Sequence, residues 1–280
     1  MAAPTKAISA GSSYAFLGFL DSNGYLTGAS TTAPVAAAAG SMMLRLLGIK
    51  TASPTIPEPD VTQITGDDIL LGEFTWDSNA SRAFVIEVAV MDMTTEALLT
   101  GTNVQTWGQV SVGALDVAER AEDNVCLILQ SRAKKQDTGV KGQAAWSGVI
   151  IPLATAQVLG RVSYSEREGA VYRINITPQL ASYTPAGVTI STANEGTTGV
   201  RYYPFTSENP ITMIRHTGNA VLATFNVSAD YPVISAAKVY THSNRVQATV
   251  SSVNTSTPSF TLSSAPADGA AVVTLYEFDV

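Results

Sequence analysis

One run of the chain sets the terms for its fold. Arg82-Ala83-Phe84-Val85-Ile86-Glu87-Val88-Ala89-Val90-Met91 alternates with a period of two. Phe84, Ile86, Val88 and Val90 share one face, and Val85, Glu87, Ala89 and Met91 share the other. Only a strand collects the large side chains on one buried face at this spacing. Glu87 stands on a face that is otherwise apolar. A buried carboxylate without a partner is costly, so a basic residue pairs with it or that face meets water.

The same texture recurs along the chain. Strands are predicted over 68–76, 124–131, 144–152 and 171–177, and 41–49 reads as a strand or a helical turn. In 68–76, Gly72, Phe74 and Trp76 share a face, with Leu71 and Glu73 on the other. Asp21-Ser22-Asn23-Gly24-Tyr25 is a turn, since Asn-Gly between apolar runs favours a hairpin. One short helix is expected over 95–99, capped by Asp92 or Thr94 and stopped by Gly101, with a second helical turn at 116–121. Pro54, Pro57 and Pro59 argue against a central strand and predict a long loop over 48–66. From residue 208 the texture shifts to short segments at 221–227, 236–241, 246–253, 259–263 and 272–278. Ser243-Asn244 and Asp268-Gly269 mark turns between them. The reading is mainly β: an N-terminal arm with the first strands (1–40), a central β domain (41–207) and a small C-terminal β-sandwich (208–280).

Charge narrows the function. Only 14% of the chain is charged, against about 25% in ordinary domains. Such a neutral surface suits extensive contact between subunits. Residues 1–130 hold 14 of the 23 acids and 5 of the 16 bases, so the acidity is concentrated in that part. An acidic surface of this kind repels polyanions. With 2 His and 1 Cys, a His/Cys zinc cluster and an internal disulfide are both excluded. Cys126, within Val125-Cys126-Leu127-Ile128-Leu129, reads as a buried apolar residue. The N-terminal residues lack the pattern of a signal peptide, and the alanine-rich run 33–40 is too short to span a bilayer. No membrane partner is expected.

No reactive constellation emerges. Asp67-Asp68, with Asp60 nearby, lacks calcium-loop spacing and reads as an acidic turn or assembly edge. Glu73 and Glu87 would make a glycosidase pair only if their strands were neighbours with the acids facing across a cleft. His216 and His242 are expected in turns, facing solvent. The basic patch 132–141 has no stacking aromatic beside it and reads as a solvated loop or an electrostatic partner for the acidic part of another copy. There is no P-loop or dinucleotide fingerprint. The expectation is a non-enzyme without catalytic residues, metal or cofactor.

The run Ile64-Thr65-Gly66-Asp67-Asp68, then Leu71-Gly72-Glu73-Phe74-Thr75-Trp76, then Phe84 to Asp92 and a short helix resembles the major tail tube proteins of long-tailed bacteriophages, over roughly residues 40–205. The resemblance implies a β-sandwich or partial barrel beside one helix. Six subunits would form a ring, and one sheet from each would join a continuous inner barrel. Stacked rings would form the tail tube, a conduit for DNA ejection. The loop around 48–66, with Pro54, Pro57 and Pro59, would be the stacking loop, and 30–40 part of an arm. Asp67, Asp68, Glu73 and Glu87 are projected onto interface or lumen faces. Residues 208–280 resemble the immunoglobulin-like domains that some tube proteins display outside. Partners would be further copies, other tail proteins such as terminator, baseplate or tape-measure protein, and DNA in passage. The chain would reside in the virion after assembly in the host cytoplasm.

Two rival classes follow from the same residues. A capsid decoration or baseplate component would share the β texture. An adhesion or carbohydrate-binding module would need a concave site lined by exposed aromatics, with Trp76, Trp107, Trp146, Tyr202 and Tyr203 as candidates.

Overall fold

The computed structural model describes residues 7–9, 14–27, 41–55, 60–66, 69–76, 83–90, 99, 105–112, 124–135, 144–161, 172–181 and 203–279. These residues are mainly β, with antiparallel pairing throughout. The first thirteen strands are β1 (Ala7–Ser9), β2 (Tyr14–Phe19), β3 (Ser41–Met42), β4 (Leu44–Thr55), β5 (Asp60–Gly66), β6 (Ile69–Trp76), β7 (Ala83–Val90), β8 (Gln105–Trp107), β9 (Val110–Val112), β10 (Asn124–Lys135), β11 (Ala144–Arg161), β12 (Tyr172–Pro178) and β13 (Tyr203–Ser207).

Eight of these strands form one sheet in the order β1-β10-β2-β4-β7-β12-β11-β13. A further ladder between β10 and β11, from Asn124↔Thr155 to Lys134↔Ala144, closes it. The circuit β10-β2-β4-β7-β12-β11 is therefore a complete barrel, beyond the partial barrel or sandwich that the resemblance implies. Ala15, Leu17, Leu46, Ile86, Leu127, Ile151 and Ile174 belong to one buried cluster that draws on all six strands. Only the concave face lets side chains from every strand converge, so the barrel interior is solid core. A barrel this small has room for side chains alone.

The alternation over 82–91 holds. Phe84, Ile86 and Val88 point inward and are buried; Val85, Glu87 and Ala89 lie on the outer face, half-buried. The expected loop over 48–66 is corrected. β4 runs unbroken through Thr55, with Pro54 opposite Phe84, and Asp60–Gly66 is β5. Proline fits because β2 pairs with β4 only at Leu44–Leu46, leaving the stretch that contains Pro54 with β7 as its sole recorded neighbour. β5 pairs with β6 as a separate two-stranded hairpin, Asp60↔Trp76 to Gly66↔Ile69. Pro57, Pro59, Asp67 and Asp68 lie outside the described residues, as do the helical turn at 116–121 and the expected helix except Leu99, which is helical and buried.

Beyond residue 208 the chain leaves the barrel sheet. β14 (Ile211–Thr217), β15 (Thr224–Asn226), β16 (Val239–Ser243), β17 (Val246–Ala248), β18 (Val250–Asn254), β19 (Ser259–Leu262) and β20 (Ala271–Glu277) follow. They form a five-stranded sheet β17-β16-β20-β14-β3 and a three-stranded sheet β15-β19-β18. The turns match the sequence: Asn244 and Arg245 take positive φ (47° and 67°) between β16 and β17, as a type I′ hairpin requires, and Gly269 takes φ 71°.

This C-terminal block is fused to the barrel. β3, from residues 41–42, supplies its edge strand. Phe16, Met43, Cys126 and Ile128 on the barrel's outer face share one buried cluster with Met213, Phe260, Val272 and Phe278. Gly18 is required at this seam, because a Cβ there would run into Leu26 and Cys126. Gln130 acts as a strand partner: its Nε2 donates to the Ile211 carbonyl (2.8 Å) and its Oε1 accepts from the Ile211 N–H (2.9 Å). Both main-chain groups of Ile211 depend on this buried amide. Replacing Gln130 by Leu strands them, and we expect a loss of about 1–3 kcal/mol. Urea denaturation followed by intrinsic fluorescence measures it; an unchanged midpoint refutes the assignment.

Candidate functional site

No group of three or more His, Cys, Asp or Glu among the described residues is placed to hold a metal. Cys126 is fully buried, and desolvation pushes its thiol up to about 12. No helix among the described residues is long and apolar enough to cross a membrane.

The histidines are not solvent-facing turn residues. His216 lies on β14 and His242 on β16, either side of β20, and both are buried. The Thr, Ser and Gly that follow them in sequence suggest turns, but the ladder to β20 runs through both positions. His216 Nε2 donates to the Asn226 carbonyl (2.8 Å), and its ring sits 5.0 Å from Phe225 and 5.8 Å from Phe260. Its Nδ1 has no partner among the described residues, and neither does that of His242. Burial lowers both pKa values, that of His216 to about 4.

The acids of interest separate. Glu87 faces Arg173 across the β7–β12 ladder, with Arg173 Nε donating to Glu87 Oε1 at 2.7 Å. Its charge is thus compensated by a base on the adjacent strand. Glu73 sits on β6 opposite Gln63 of β5. β6 and β7 belong to different sheets, so the two carboxylates are not on neighbouring strands. Trp146 is also excluded as a sugar platform: it is 5% exposed, 5.3 Å from Tyr14 and 5.9 Å from the Arg132 guanidinium. Trp76 ends β6, and Trp107 ends β8 before the Gly108-Gln109 turn to β9. Tyr203 begins β13 and is half-buried, and Tyr202 lies outside the described residues.

Two features escaped the sequence reading. A cleft of about 260 Å³ is lined by Ile150, Phe205, Ile211, Tyr240 and Leu275. At its edge Lys238 Nζ reaches Glu208 (3.1 Å) and Glu277 (3.2 Å). Burial alone would lower the Lys238 pKa, but the two carboxylates outweigh it and raise the value. The second feature is a clasp on the Asp21–Tyr25 turn. Asp21 accepts from the Tyr25 N–H (3.0 Å) and from Arg215 (2.9 Å), while Arg215 and Arg245 lie over the Tyr25 ring at 6.0 and 5.1 Å. Neither has a local motif, because each joins residues far apart in sequence.

What remains is surface. β13 and β1 end the barrel sheet, and β17 ends the five-stranded sheet. The connections β4–β7 and β10–β11 leave the barrel at the same end, because neighbouring strands are antiparallel all the way round. The first carries the β5–β6 hairpin; the second follows Arg132, Lys134 and Lys135 on β10. No family model matches the chain, and no curated protein does.

His216 yields a pH prediction. Its native pKa lies below the ordinary value of 6.5, so between pH 6.5 and about 4 the unfolded chain binds the proton more readily. The contribution of neutral His216 is fully present above pH 6.5 and is lost as pH falls toward 4. We expect about 3 kcal/mol of stability to disappear over that window. His216→Phe flattens this part of the profile, read by urea midpoints from pH 7 to 4. A profile as steep in the variant as in the parent contradicts the assignment.

Proposed function

We propose that this chain is a structural subunit that polymerises into a tube of stacked rings, as the major tail tube proteins of long-tailed bacteriophages do, serving as a conduit for DNA. The observation that carries this reading is the β5–β6 hairpin. It is a two-stranded sheet apart from the barrel sheet, rich in Ile, Leu, Phe and Trp. An isolated two-stranded hairpin is marginal in water, so such an element is completed by a surface. In a ring stack the neighbouring copy supplies it.

The closed barrel changes how assembly would work. A continuous inner sheet built from freely pairing margins does not fit, because the β10–β11 ladder joins them within one copy. Two of the recorded edges, the overhang of β4 and β13, carry proline, Pro54 and Pro204. Proline blunts an edge against strand addition. Assembly would therefore run through hairpins and side-chain surfaces. The bore lies between copies, since the barrel interior is filled by its own side chains. Glu87, compensated by Arg173, adds little to an acidic wall; the overall charge of −7 still disfavours adhesion of DNA.

Negative-stain microscopy and sedimentation velocity of the purified chain test the reading. Rings or tubes are expected with rising concentration. Replacing residues 57–79 by a short Asn-Gly turn should leave a folded monomer. A parent chain that remains monomeric throughout, or a hairpin-less chain that assembles equally well, rejects the reading.

A further inference from the structure

We propose that the cleft where the barrel meets the C-terminal block is a binding site for a neutral saccharide, taking one pyranose unit. The site is complete within one copy, so it serves a monomer and an assembly alike. Its apolar lining comes from both parts of the molecule. Ile150 on β11 and Phe205 on β13 belong to the barrel sheet, and Tyr240 on β16 and Leu275 on β20 to the C-terminal block. Tyr240 stands opposite Leu275 in the ladder and is 41% exposed, so its ring is at the rim of the cleft. His242, two residues on along the same face of β16, packs against that ring at 5.0 Å. Gly148 lets the Phe205 ring approach the sheet, where a Cβ would displace it.

Lys238 and Glu277 supply the polar part of the same lining. Lys238 Nζ donates to Glu208 Oε2 (3.1 Å) and Glu277 Oε1 (3.2 Å). Glu277 Oε2 accepts from the Asn209 N–H (3.1 Å) and from the Asn209 side-chain amide (3.2 Å). These side chains are part-buried and already held in place, so a ligand does not have to order them. Their bonding capacity is not used up. An ammonium has three protons, and the two carboxylates take two of them. Glu208 Oε1 has no partner among the described residues.

This lining selects the class of ligand. A cation meets Lys238 and an anion meets two carboxylates, so either must disturb the Glu208–Lys238–Glu277 contacts to enter. A neutral polyol disturbs none of them, because its hydroxyls donate to the carboxylates and accept from the ammonium at once. A pyranose also has an apolar C–H face, which suits a tyrosine ring and an aliphatic wall. Clefts for drug-sized ligands span about 300–1,000 Å³. At about 260 Å³ this one has room for a single ring. A ligand of that size binds with a Kd on the order of 1 mM.

Saturation-transfer difference NMR of the purified full chain tests the site, with glucose, galactose, mannose and N-acetylglucosamine each on the order of 10 mM. At least one sugar should give saturation transfer. Tyr240→Ala should weaken its binding at least about tenfold. Ala237→Trp adds bulk to the lining and deletes no side chain, and should do the same. Val246→Ala, exposed on β17 and outside the cleft, should bind as the parent does. Each variant is checked for a native circular dichroism spectrum, and Ala237→Trp decides where Tyr240→Ala does not fold. Affinity should stay constant as salt rises from about 50 to about 500 mM, since the ligand is uncharged.

No transfer to any of the four sugars overturns the site. Sugar binding that survives in both cleft variants places the sugar elsewhere and overturns it too. Binding of benzylamine or benzoate, lost in the cleft variants and unaccompanied by sugar binding, assigns the cleft to a charged ligand and overturns the saccharide. A parent that binds sugar but stays monomeric rejects the tube reading alone, and a parent that forms tubes but binds no sugar rejects this site alone.

Discussion

The ladder between β10 and β11 is the constraint on which the rest of the molecule depends. It turns an open sheet into a barrel, gives the inward side chains a common interior and holds β10 and β11 in register. It also makes β10 a strand with two buried faces. Val125 and Leu127 point into the barrel, while Cys126, Ile128 and Gln130 point outward to the C-terminal block. The unbroken apolar run around Cys126 follows from that double burial, since a strand covered on one side alone would alternate.

Gly148 shows how tightly this region is built. A Cβ there would collide with the Leu129 carbonyl and the Phe205 ring. β11 is eighteen residues long because it serves three neighbours: β10 along its first two thirds, β13 at Trp146–Ile150 and β12 from Ala154 onward. The C-terminal block rests on the extension shared by β10, β11 and β13, and β3 ties it down from the other side of the sequence. It therefore shares a second buried core with the barrel's outer face. The change of texture near residue 208 marks where the chain changes sheets, between Ser207 and Ile211.

Much of this was legible locally. Alternation located β7 within a residue at either end and identified its inward face, and the Asn-Gly and Asp-Gly pairs marked real turns. Glu87 announced its need for a partner, although only the register reveals Arg173, 86 positions away. The misreadings share one cause: local composition was taken for environment. Pro54 suggests a loop because proline breaks central strands, yet the stagger of β2 against β4 leaves it on an overhang. His216 and His242 resemble turn residues by their neighbours, yet β20 runs between their strands. A two-residue strand such as β3 and the Gln130–Ile211 bonds carry no local signature, because each is set by contacts between distant segments; β10–β11 is a pairing of consecutive strands, and only the order of the remaining strands makes it the closure.

The described charges of this framework stand beside their partners. Within the barrel circuit Glu87 is matched by Arg173, and across the C-terminal seam Asp21 is matched by Arg215 and the Glu208/Glu277 pair by Lys238. Charges in these layers are compensated where they stand, as partial burial demands.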